Sequence, residues 1–453
     1  MSMAVFTPAA GGHCSRSPVT DTQHLGQTSK DSERQMKITI KDVERITVHV
    51  PFTPRCKVWC AREQYQWDIS EVVRVTTDVP DIVGYGETMP HYTWGKVTDE
   101  AIARVKGANA VDFLADDSLG AGLQMAIYDL VGKALEVPAY RLFNLPRVRE
   151  WCPISWWNVD MSPEDFAAEA TEAVSRGYTS HKIKGRPWWD ICAQVEAVRD
   201  ATPDYYHLDI DWNQMLVNAS RATPVLQRLD QYPIVDIYES PIPQADVEGN
   251  RQLRSKISRP IAHHFGNPPF PTVVRDEVCD GFVVGGGVGG VLKQGIQAAA
   301  FDKPFFLQIV GTGITTALSL QLGAVLSHAQ WPAVNCMNIY EEDLLATPLK
   351  IKGGYAQTPE GPGLGIDIDE DALVRLRMEP PYEHPPLRLL LALVWPGERR
   401  RYYATIQQCW TDALNGNMPI HEAGSRLEYV ENDGSKDWDE LQTLAATQGP
   451  VFA

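Results

Sequence analysis

Hydrophobic and polar residues alternate in two runs of the N-terminal third of the chain. Residues 38–50 read ITIKDVERITVHV and residues 69–78 read ISEVVRVTTD. This alternation is typical of strands with one exposed face, so we predict an antiparallel sheet, with a turn at 84–87 (GYGE). Between residues 121 and 143 the apolar positions instead recur at helical spacing until Pro138 interrupts the pattern, which predicts a helix.

From residue 152 to 340 short apolar runs alternate with helical stretches. The predicted strands are CPISWWN (152–158), SHKIK (180–184), YYHLDID (205–211), IVDIYE (234–239), PIAHH (260–264), GFVVGG (281–286), PFFLQIV (304–310) and AVNCMNI (333–339). Strands separated by helices predict an α/β fold, here a TIM-like (β/α)8 barrel. An open doubly wound sheet is the competing interpretation, but no G-x-G-x-x-G motif follows the first strand.

The net charge argues against some classes of partner. The chain has 41 Lys and Arg against 58 Asp and Glu, a net charge of −17. This balance disfavours nucleic acid and anionic membranes as main partners, and no run of about 18 apolar residues predicts a membrane span. The eight cysteines are scattered, which predicts reduced thiols and a cytoplasmic protein.

Two lysines end the second predicted barrel strand. Lys182 and Lys184 stand two residues apart, so their side chains share one face of the strand. Mutual repulsion and partial burial are expected to lower the pKa of a lysine toward that of a useful general base. Gly185 then leaves space at the end where barrel enzymes carry out chemistry. Taken alone, the pair is also compatible with a solvated strand.

The next two strands end in acids. Asp211 follows Lys184 by 27 residues and Glu239 follows Asp211 by 28, each close to the length of one β/α unit. The three side chains should therefore end neighbouring strands at the same depth. Two acids on adjacent strand ends favour a divalent metal site over isolated helix caps.

These motifs together resemble the enolase superfamily, in the branch of muconate-lactonising enzyme and mandelate racemase. The resemblance covers roughly residues 37–375 and rests on the following segments: GYGET (84–88), AIYDLVGKALEVPAYRLF (126–143), KIK (182–184), DWN (211–213), YESP (238–241), GGVLKQGIQAAA (289–300) and GPGLGID (361–367). It implies an α+β capping domain over the barrel. It also implies a small-molecule carboxylate substrate, a Mg²⁺ ion on three strand-end carboxylates, abstraction of the proton α to the carboxylate, and a homo-oligomer.

Site roles follow from the resemblance position by position. Lys184 is implied as the base, and Lys182 as the residue that tunes its pKa and contacts the substrate carboxylate. Asp211 and Glu239 are implied as metal ligands, with Asn213 supporting the site and binding substrate.

The third ligand position departs from the family pattern. About 25 residues after Glu239 the chain has His264 instead of a carboxylate. Histidine suits Zn²⁺ or Mn²⁺ better than Mg²⁺. Three alternatives stay open: His264 binds a softer metal, two acids and water hold Mg²⁺, or no metal is bound and His263 or His264 acts as an acid/base or anion-binding group.

The usual second base is also replaced. Val284 or Gly285 occupies its place on the sixth strand, and Gln308 occupies the position on the seventh. A racemase needs a group on each face of the carbon, whereas a lyase can use one base and a separate acid. We therefore expect a dehydratase of a sugar acid or related hydroxy-carboxylate, with His264 as the acid. An isomerase and a catalytically silent binding protein are the alternatives.

Several further residues are candidate substrate contacts. Arg186 could hold a carboxylate through two hydrogen bonds or form a surface ion pair. Gln308 and His263 are candidates from strand ends. Arg55 and Trp59 fall in the segment that corresponds to the capping-domain loop over the substrate.

The predicted organisation has five parts. They are a disordered tail (1–36), a capping domain (37–150), the barrel (151–350), a segment that packs on the capping domain (351–380) and an extension with no predicted role (381–453). Within the extension, residues 399–416 are expected to be helical.

Overall fold

A computed structural model describes residues 37–92, 95–397 and 399–452. The tail predicted at 1–36 lies outside these described residues. The domain limits drawn from the sequence stay predictions.

The N-terminal part is a three-stranded antiparallel sheet in the order β1-β2-β3. Its elements are β1 (Ile40–His49), α1 (Pro54–Cys60), β2 (Ile69–Thr77), β3 (Val83–Thr88), α2 (Asp99–Val105) and α3 (Ala121–Ala134). The strand pair predicted from alternation is confirmed, with Val43 opposite Val75 and His49 opposite Ile69.

The turn predicted at 84–87 is wrong, because these residues belong to strand β3. Glycine here allows α3 to pack directly on the strand. A Cβ on Gly84 would stand 2.1 Å from the Ala126 carbonyl oxygen, and one on Gly86 would stand 2.0 Å from the Gly122 oxygen. Close approach of two backbones, not chain reversal, explains the glycines.

All eight predicted barrel strands are present, and the predicted TIM-like barrel is confirmed. The strands are β4 (Trp151–Trp157), β5 (Ser180–Lys184), β6 (His207–Asp211), β7 (Val235–Glu239), β8 (Ile261–His264), β9 (Gly281–Val284), β10 (Phe305–Leu307) and β11 (Ala333–Val334). Parallel pairing runs from β4 to β10 in chain order. β11 pairs with β4, and a bridge joins Gln308 to Val334, so the ring closes.

Helices separate the barrel strands as the sequence predicts. They are α4 (Pro163–Ser175), α5 (Ile191–Ala201), α6 (Ala219–Leu229), α7 (Val247–Arg254), α8 (Phe270–Asp276), α9 (Val288–Ala300) and α10 (Gly313–Gly323). Ser162 caps α4 by accepting a hydrogen bond from the backbone of Asp165, which satisfies an amide that the helix leaves free. Short 3-10 turns cover Ala110–Phe113, Asp117–Leu119, Ala139–Phe143 and Met337–Ile339.

Glu87 on β3 joins the N-terminal sheet to the barrel. Its carboxylate accepts hydrogen bonds from the backbone amides of Thr312 at 3.0 Å and Thr315 at 3.2 Å, and from both hydroxyls. These amides open helix α10, where an anion is stabilised by unpaired N–H groups. A buried acid of the N-terminal sheet therefore caps a helix of the barrel.

The C-terminal residues form a hairpin and then an α/β module. Their elements are β12 (Ile351–Lys352), β13 (Tyr355–Gln357), α11 (Glu370–Arg375), β14 (Leu391–Trp395), β15 (Arg399–Tyr403), α12 (Ile406–Leu414), β16 (Arg426–Tyr429), α13 (Lys436–Gln448) and β17 (Val451–Phe452). The module sheet has the order β16-β14-β15-β17. The helix expected at 399–416 is wrong in its first part, because β15 forms a hairpin with β14.

The module shares its hydrophobic core with the barrel. Leu391, Leu393 and Tyr403 belong to the same buried cluster as the barrel strands. Among the described residues, no helix is both long and apolar enough to cross a membrane.

Candidate active site

The strand ends that carry the predicted site lie in register. Lys184 pairs with Asp211, and Asp211 pairs with Glu239, across three neighbouring parallel strands. The spacing argument from the sequence therefore places these residues at one depth, at the carboxyl end of the barrel. This is the end at which barrel enzymes bind substrate.

Lys182 is paired with Glu239. Its ammonium group donates a hydrogen bond to a carboxylate oxygen of Glu239, and the two side chains are 2% and 1% exposed. The ammonium group also lies 4.1 Å from the centre of the Phe306 ring. Burial alone would raise the pKa of Glu239, but Lys182 and the neighbouring His264 hold that pKa well below its usual range.

Lys184 is paired with the second acid. Its Nζ lies 2.5 Å from Asp211 Oδ2 and 3.2 Å from Asn213 Oδ1. The backbone amide of Asn213 donates to the other Asp211 oxygen at 2.9 Å. The repulsion expected between the two lysines is thus offset by two carboxylates, so the site is an alternating set of charges and not an isolated lysine pair.

His264 ends strand β8 beside this cluster. Its Nε2 lies 3.0 Å from Glu239 Oε1, and its side chain is 49% exposed. Burial opposes the charged imidazole, but the contact with Glu239 outweighs it and raises the pKa of His264. A histidine that holds its proton while reaching solvent can act as a proton donor.

His263 does not join the site. Consecutive residues of a strand point to opposite faces, and His263 turns away to Asn250 on helix α7, with Nε2 3.2 Å from the amide oxygen. Burial lowers its pKa to about 3. This buried, neutral histidine corrects the expectation that it contacts substrate.

Asp209 is a group that sequence reasoning missed. It is the register partner of Lys182 and it is 2% exposed. Neither carboxylate oxygen has a hydrogen-bond partner among the described residues. Burial raises its pKa to about 8. The signal was the alternation in 207–211, which puts positions 209 and 211 on one face.

Arg186 is buried, so the alternative of a surface ion pair is wrong. Its guanidinium donates to Asn213 Oδ1 at 2.8 Å. The guanidinium carbon lies 4.6 Å from the centre of the Trp410 ring, a cation–π contact. Trp410 belongs to the C-terminal module, for which the sequence predicted no role. Through this contact the module touches Arg186, which is itself hydrogen-bonded to Asn213.

Arg55 and Trp59 are used elsewhere. Arg55 forms ion pairs of 2.7 Å with Glu169 and Glu172 on helix α4, and the Trp59 indole donates to Asp165 at the start of that helix. Their polar groups are already engaged by these acids. These contacts hold α1 against α4, and a contact of either residue with substrate stays a prediction.

A cavity of about 320 Å³ opens beside His264. Its lining comprises Tyr92, His264, Phe265, Val283, Gly285, Gly286, Gln294 and Gln308. Gln308 donates to the Tyr92 hydroxyl at 3.1 Å, so a predicted site residue does line it. Tyr92 comes from the N-terminal part and was missed, because sequence patterns do not show which loop lies over the barrel.

The residues at the strand ends suit a divalent cation in their chemistry. Asp211 and Glu239 offer the oxygen ligands that Mg²⁺ prefers, while His264 adds an imidazole that suits Mn²⁺ or Zn²⁺. The described residues contain one group of three such side chains whose ligand atoms lie within 4.8 Å of one another. That group lies outside the barrel strand ends. The ligand atoms of Asp211, Glu239 and His264 therefore do not all lie this close to one another, and their role as ligands stays a prediction.

Comparison with known proteins agrees with this fold. Residues 165–372 match the family described as Enolase C-terminal domain-like. The chain is 27% identical over 290 residues to a D-gluconate dehydratase of Thermoproteus tenax, which covers 57% of this chain and 56% of the relative. It is 26% identical over 273 residues to an N-succinyl-L-Arg/Lys racemase of Bacillus cereus, covering 56% of this chain and 71% of the relative.

A solved structure shows the same fold. The muconate lactonizing enzyme of Pseudomonas fluorescens, complexed with muconolactone, superposes with a TM-score of 0.63 at 21% identity. The match covers 76% of this chain and 100% of that one. The similarity thus spans that structure entirely and about three quarters of this chain, while the chain spans about half the length of the dehydratase it matches.

Proposed function

We propose that this chain, which is similar to the enolase superfamily in the branch of mandelate racemase and muconate-lactonising enzyme, is a lyase. Its substrate is a sugar acid or a related small hydroxy-carboxylate, from which it removes the α-proton and a hydroxyl group as water. The observation that carries the proposal is the register of Lys184, Asp211 and Glu239 at three neighbouring strand ends, with His264 on the fourth.

In the proposed reaction Lys184 is the base. Lys184 must be in its neutral amine form when the reaction begins, and its nitrogen takes the proton from the α-carbon. The electron pair of that C–H bond forms the new double bond and expels the β-hydroxyl group. Asn213 and Asp211 hold the lysine nitrogen in place, which fixes the geometry of proton transfer.

His264 is the proposed acid. Its imidazolium lies beside the cavity and gives its proton to the departing hydroxyl group, which leaves as water. The contact with Glu239 raises the pKa of His264, which favours the protonated ring that a general acid requires. The contact with Glu239 then stabilises the orientation of the ring.

Asp211 and Glu239 are the proposed holders of one divalent metal ion. Such an ion would offset the negative charge that develops on the substrate carboxylate and would compete with the two lysines for the same oxygens. Members of the superfamily typically use Mg²⁺, and Mn²⁺ or Zn²⁺ is the choice if His264 joins the ligands.

A racemase is the less favoured class. One-base elimination needs only Lys184 and an acid, whereas racemisation needs a second base on the opposite face. At the two expected positions the described chain presents Gly285 and Gln308 to the cavity, and neither side chain can act as a base. Relatives of both classes exist, so the reaction itself must be observed.

The test is to incubate the purified chain with a panel of aldonates and other 2-hydroxy-carboxylates in D₂O, with Mg²⁺ and with Mn²⁺. We expect loss of water to give a 2-keto-3-deoxy acid in one case or more. Deuterium incorporation without loss of water would favour an isomerase. No exchange with any acid would favour a catalytically silent binding protein.

A further inference from the structure

The ligand group outside the barrel consists of His49, Asp68 and His384. His49 Nε2 lies 3.1 Å from Asp68 Oδ2, and His384 Nε2 lies 2.8 Å from Asp68 Oδ1. One ligand atom from each of the three residues lies within 4.8 Å of the other two. The side chains are 43%, 11% and 31% exposed, respectively, so the group can be reached from solvent.

The fold holds each of the three residues from its backbone. His49 is the last residue of β1, and its amide donates to the Leu376 oxygen at 2.9 Å. Asp68 lies just before β2, and its carbonyl accepts from Val50 at 2.7 Å. His384 belongs to the segment that leads to the C-terminal module.

Gln66 anchors the third residue. Its side-chain amide donates to the His384 carbonyl at 2.9 Å and accepts from the His384 amide at 2.8 Å. A two-point contact of this kind fixes the backbone that carries the imidazole. The two histidines approach from different parts of the chain, with ring centres 5.5 Å apart, and both turn Nε2 to the same carboxylate.

We propose that His49, Asp68 and His384 bind one divalent transition-metal ion of the Zn²⁺ type. Two imidazole nitrogens and one carboxylate oxygen form a ligand set that Zn²⁺ accepts, at about 2.0–2.2 Å from each atom. Neighbouring ligands of a tetrahedral ion then lie roughly 3.3 Å apart. The present contacts of 3.1 and 2.8 Å therefore need to lengthen only slightly to admit the ion.

The fourth position of the ion faces open space. A cavity of about 350 Å³ adjoins the group and is lined by the three ligands together with Phe52, Lys57, Ala61, Tyr65, Pro385 and Leu387. Water is the fourth ligand that this space supplies. The ion would connect β1 and the loop before β2 to the segment at 384, and so fasten the beginning of the C-terminal module to the N-terminal sheet. This proposal does not rest on the reaction in the barrel.

The experiment separates this site from the barrel by using Asp211→Asn as the background. The full-length protein is stripped with chelator and dialysed against ZnCl₂, and bound zinc is measured by elemental analysis. We expect about one equivalent, and we expect Asp68→Asn or His384→Gln to weaken binding by at least about tenfold, since even changes next to ligands cost that much. The visible absorption of bound Co²⁺ should report a four-coordinate site and disappear in the same variants.

His328→Gln is the matched control, since His328 is paired with Asp302 at 3.0 Å without a third ligand in the same group. It should leave zinc binding unchanged. The circular dichroism of each variant in chelator establishes that it is folded. Zinc retained in both ligand variants, or no zinc bound by the Asp211→Asn protein, would overturn the proposal.

Discussion

Lys182 and Glu239 form an ion pair across the barrel interior, although strand β6 lies between the strands that carry them. Both side chains are almost fully buried, so neither can exchange its partner for water. A buried charge left without its partner is costly, about 3–5 kcal/mol.

We therefore expect Glu239→Gln to lower the free energy of unfolding by about 3–5 kcal/mol. The double variant Lys182→Met/Glu239→Gln should be more stable than Glu239→Gln alone, because it leaves no unpaired ammonium group. Urea denaturation followed by tryptophan fluorescence measures both. Equal stability of the single and double variants would show that the pair is not coupled.

Replacement of the proposed base should slow exchange strongly without unfolding the protein. Lys184→Met should slow α-proton exchange by about 10²–10⁴-fold, the usual contribution of a general base. The matched control is Lys256→Met, at an exposed lysine beyond helix α7. Exchange measured by NMR in D₂O should distinguish them, and unchanged exchange in Lys184→Met would reject the lysine as base.

The C-terminal module should affect the site through Arg186. Trp410→Ala removes the ring under the guanidinium, and a desolvated cation–π contact contributes about 2 kcal/mol. We expect KM for the substrate to rise several-fold, with a smaller change in kcat. Trp438→Ala removes a similar contact with Arg388, at 5.0 Å within the module, and should leave KM unchanged. An equal effect of both variants would indicate general loosening of the module.

His421 should make the protein sensitive to acid. It is fully enclosed against Trp212, with ring centres 5.1 Å apart, and burial lowers its pKa to about 3. Between pH 6.5 and 3 the unfolded chain binds a proton there that the folded chain does not, so stability falls as pH falls.

The loss from this residue is about 1.4 kcal/mol per pH unit below the unfolded pKa. Between pH 4 and 6 the free energy of unfolding of His421→Gln should change less steeply with pH than that of the unmodified protein. The difference in slope should correspond to about one bound proton, or about 1.4 kcal/mol per pH unit. Denaturant titrations at several pH values measure this slope. An identical slope in both proteins would mean that His421 is protonated in the fold.

Gly86→Ala should destabilise the N-terminal sheet strongly. The added Cβ would meet backbone atoms of α3 at 2.0 and 2.6 Å, and overpacking of this kind costs about 1–3 kcal/mol or more. At Gly107 an added Cβ meets nothing within 4 Å, although φ there is +78°, so Gly107→Ala should cost only about 1 kcal/mol. Thermal unfolding compares the two, and a smaller loss for Gly86→Ala would contradict the packing argument.

Periodicity and spacing were sufficient to predict the barrel and the register of its charged strand ends. Parallel strands impose a common depth, so intervals of 27 and 28 residues between charged positions are enough to identify neighbouring strand ends. The same reasoning misread 84–87, because a glycine required by a distant helix looks the same in sequence as a glycine in a turn.

Partnerships between distant segments could not be predicted. The sequence does not indicate that Tyr92 reaches Gln308, that Trp410 underlies Arg186, or that Asp209 is left without a hydrogen bond. Each depends on how separate elements pack, and no local pattern encodes that packing.

The contacts of the C-terminal module decide where the chain can be shortened. Its residues 424 and 425 pair with Asp190 in the loop after Lys182 and Lys184, and the ring centres of Trp410 and Trp188 lie 6.2 Å apart. A protein cut at residue 380 would expose an apolar surface of its barrel, including the Trp188 indole, and would remove the Gly424 amide that donates to Asp190. Expression trials of such a fragment should yield aggregates, so a shortened version of this protein that still folds must keep residues 381–452.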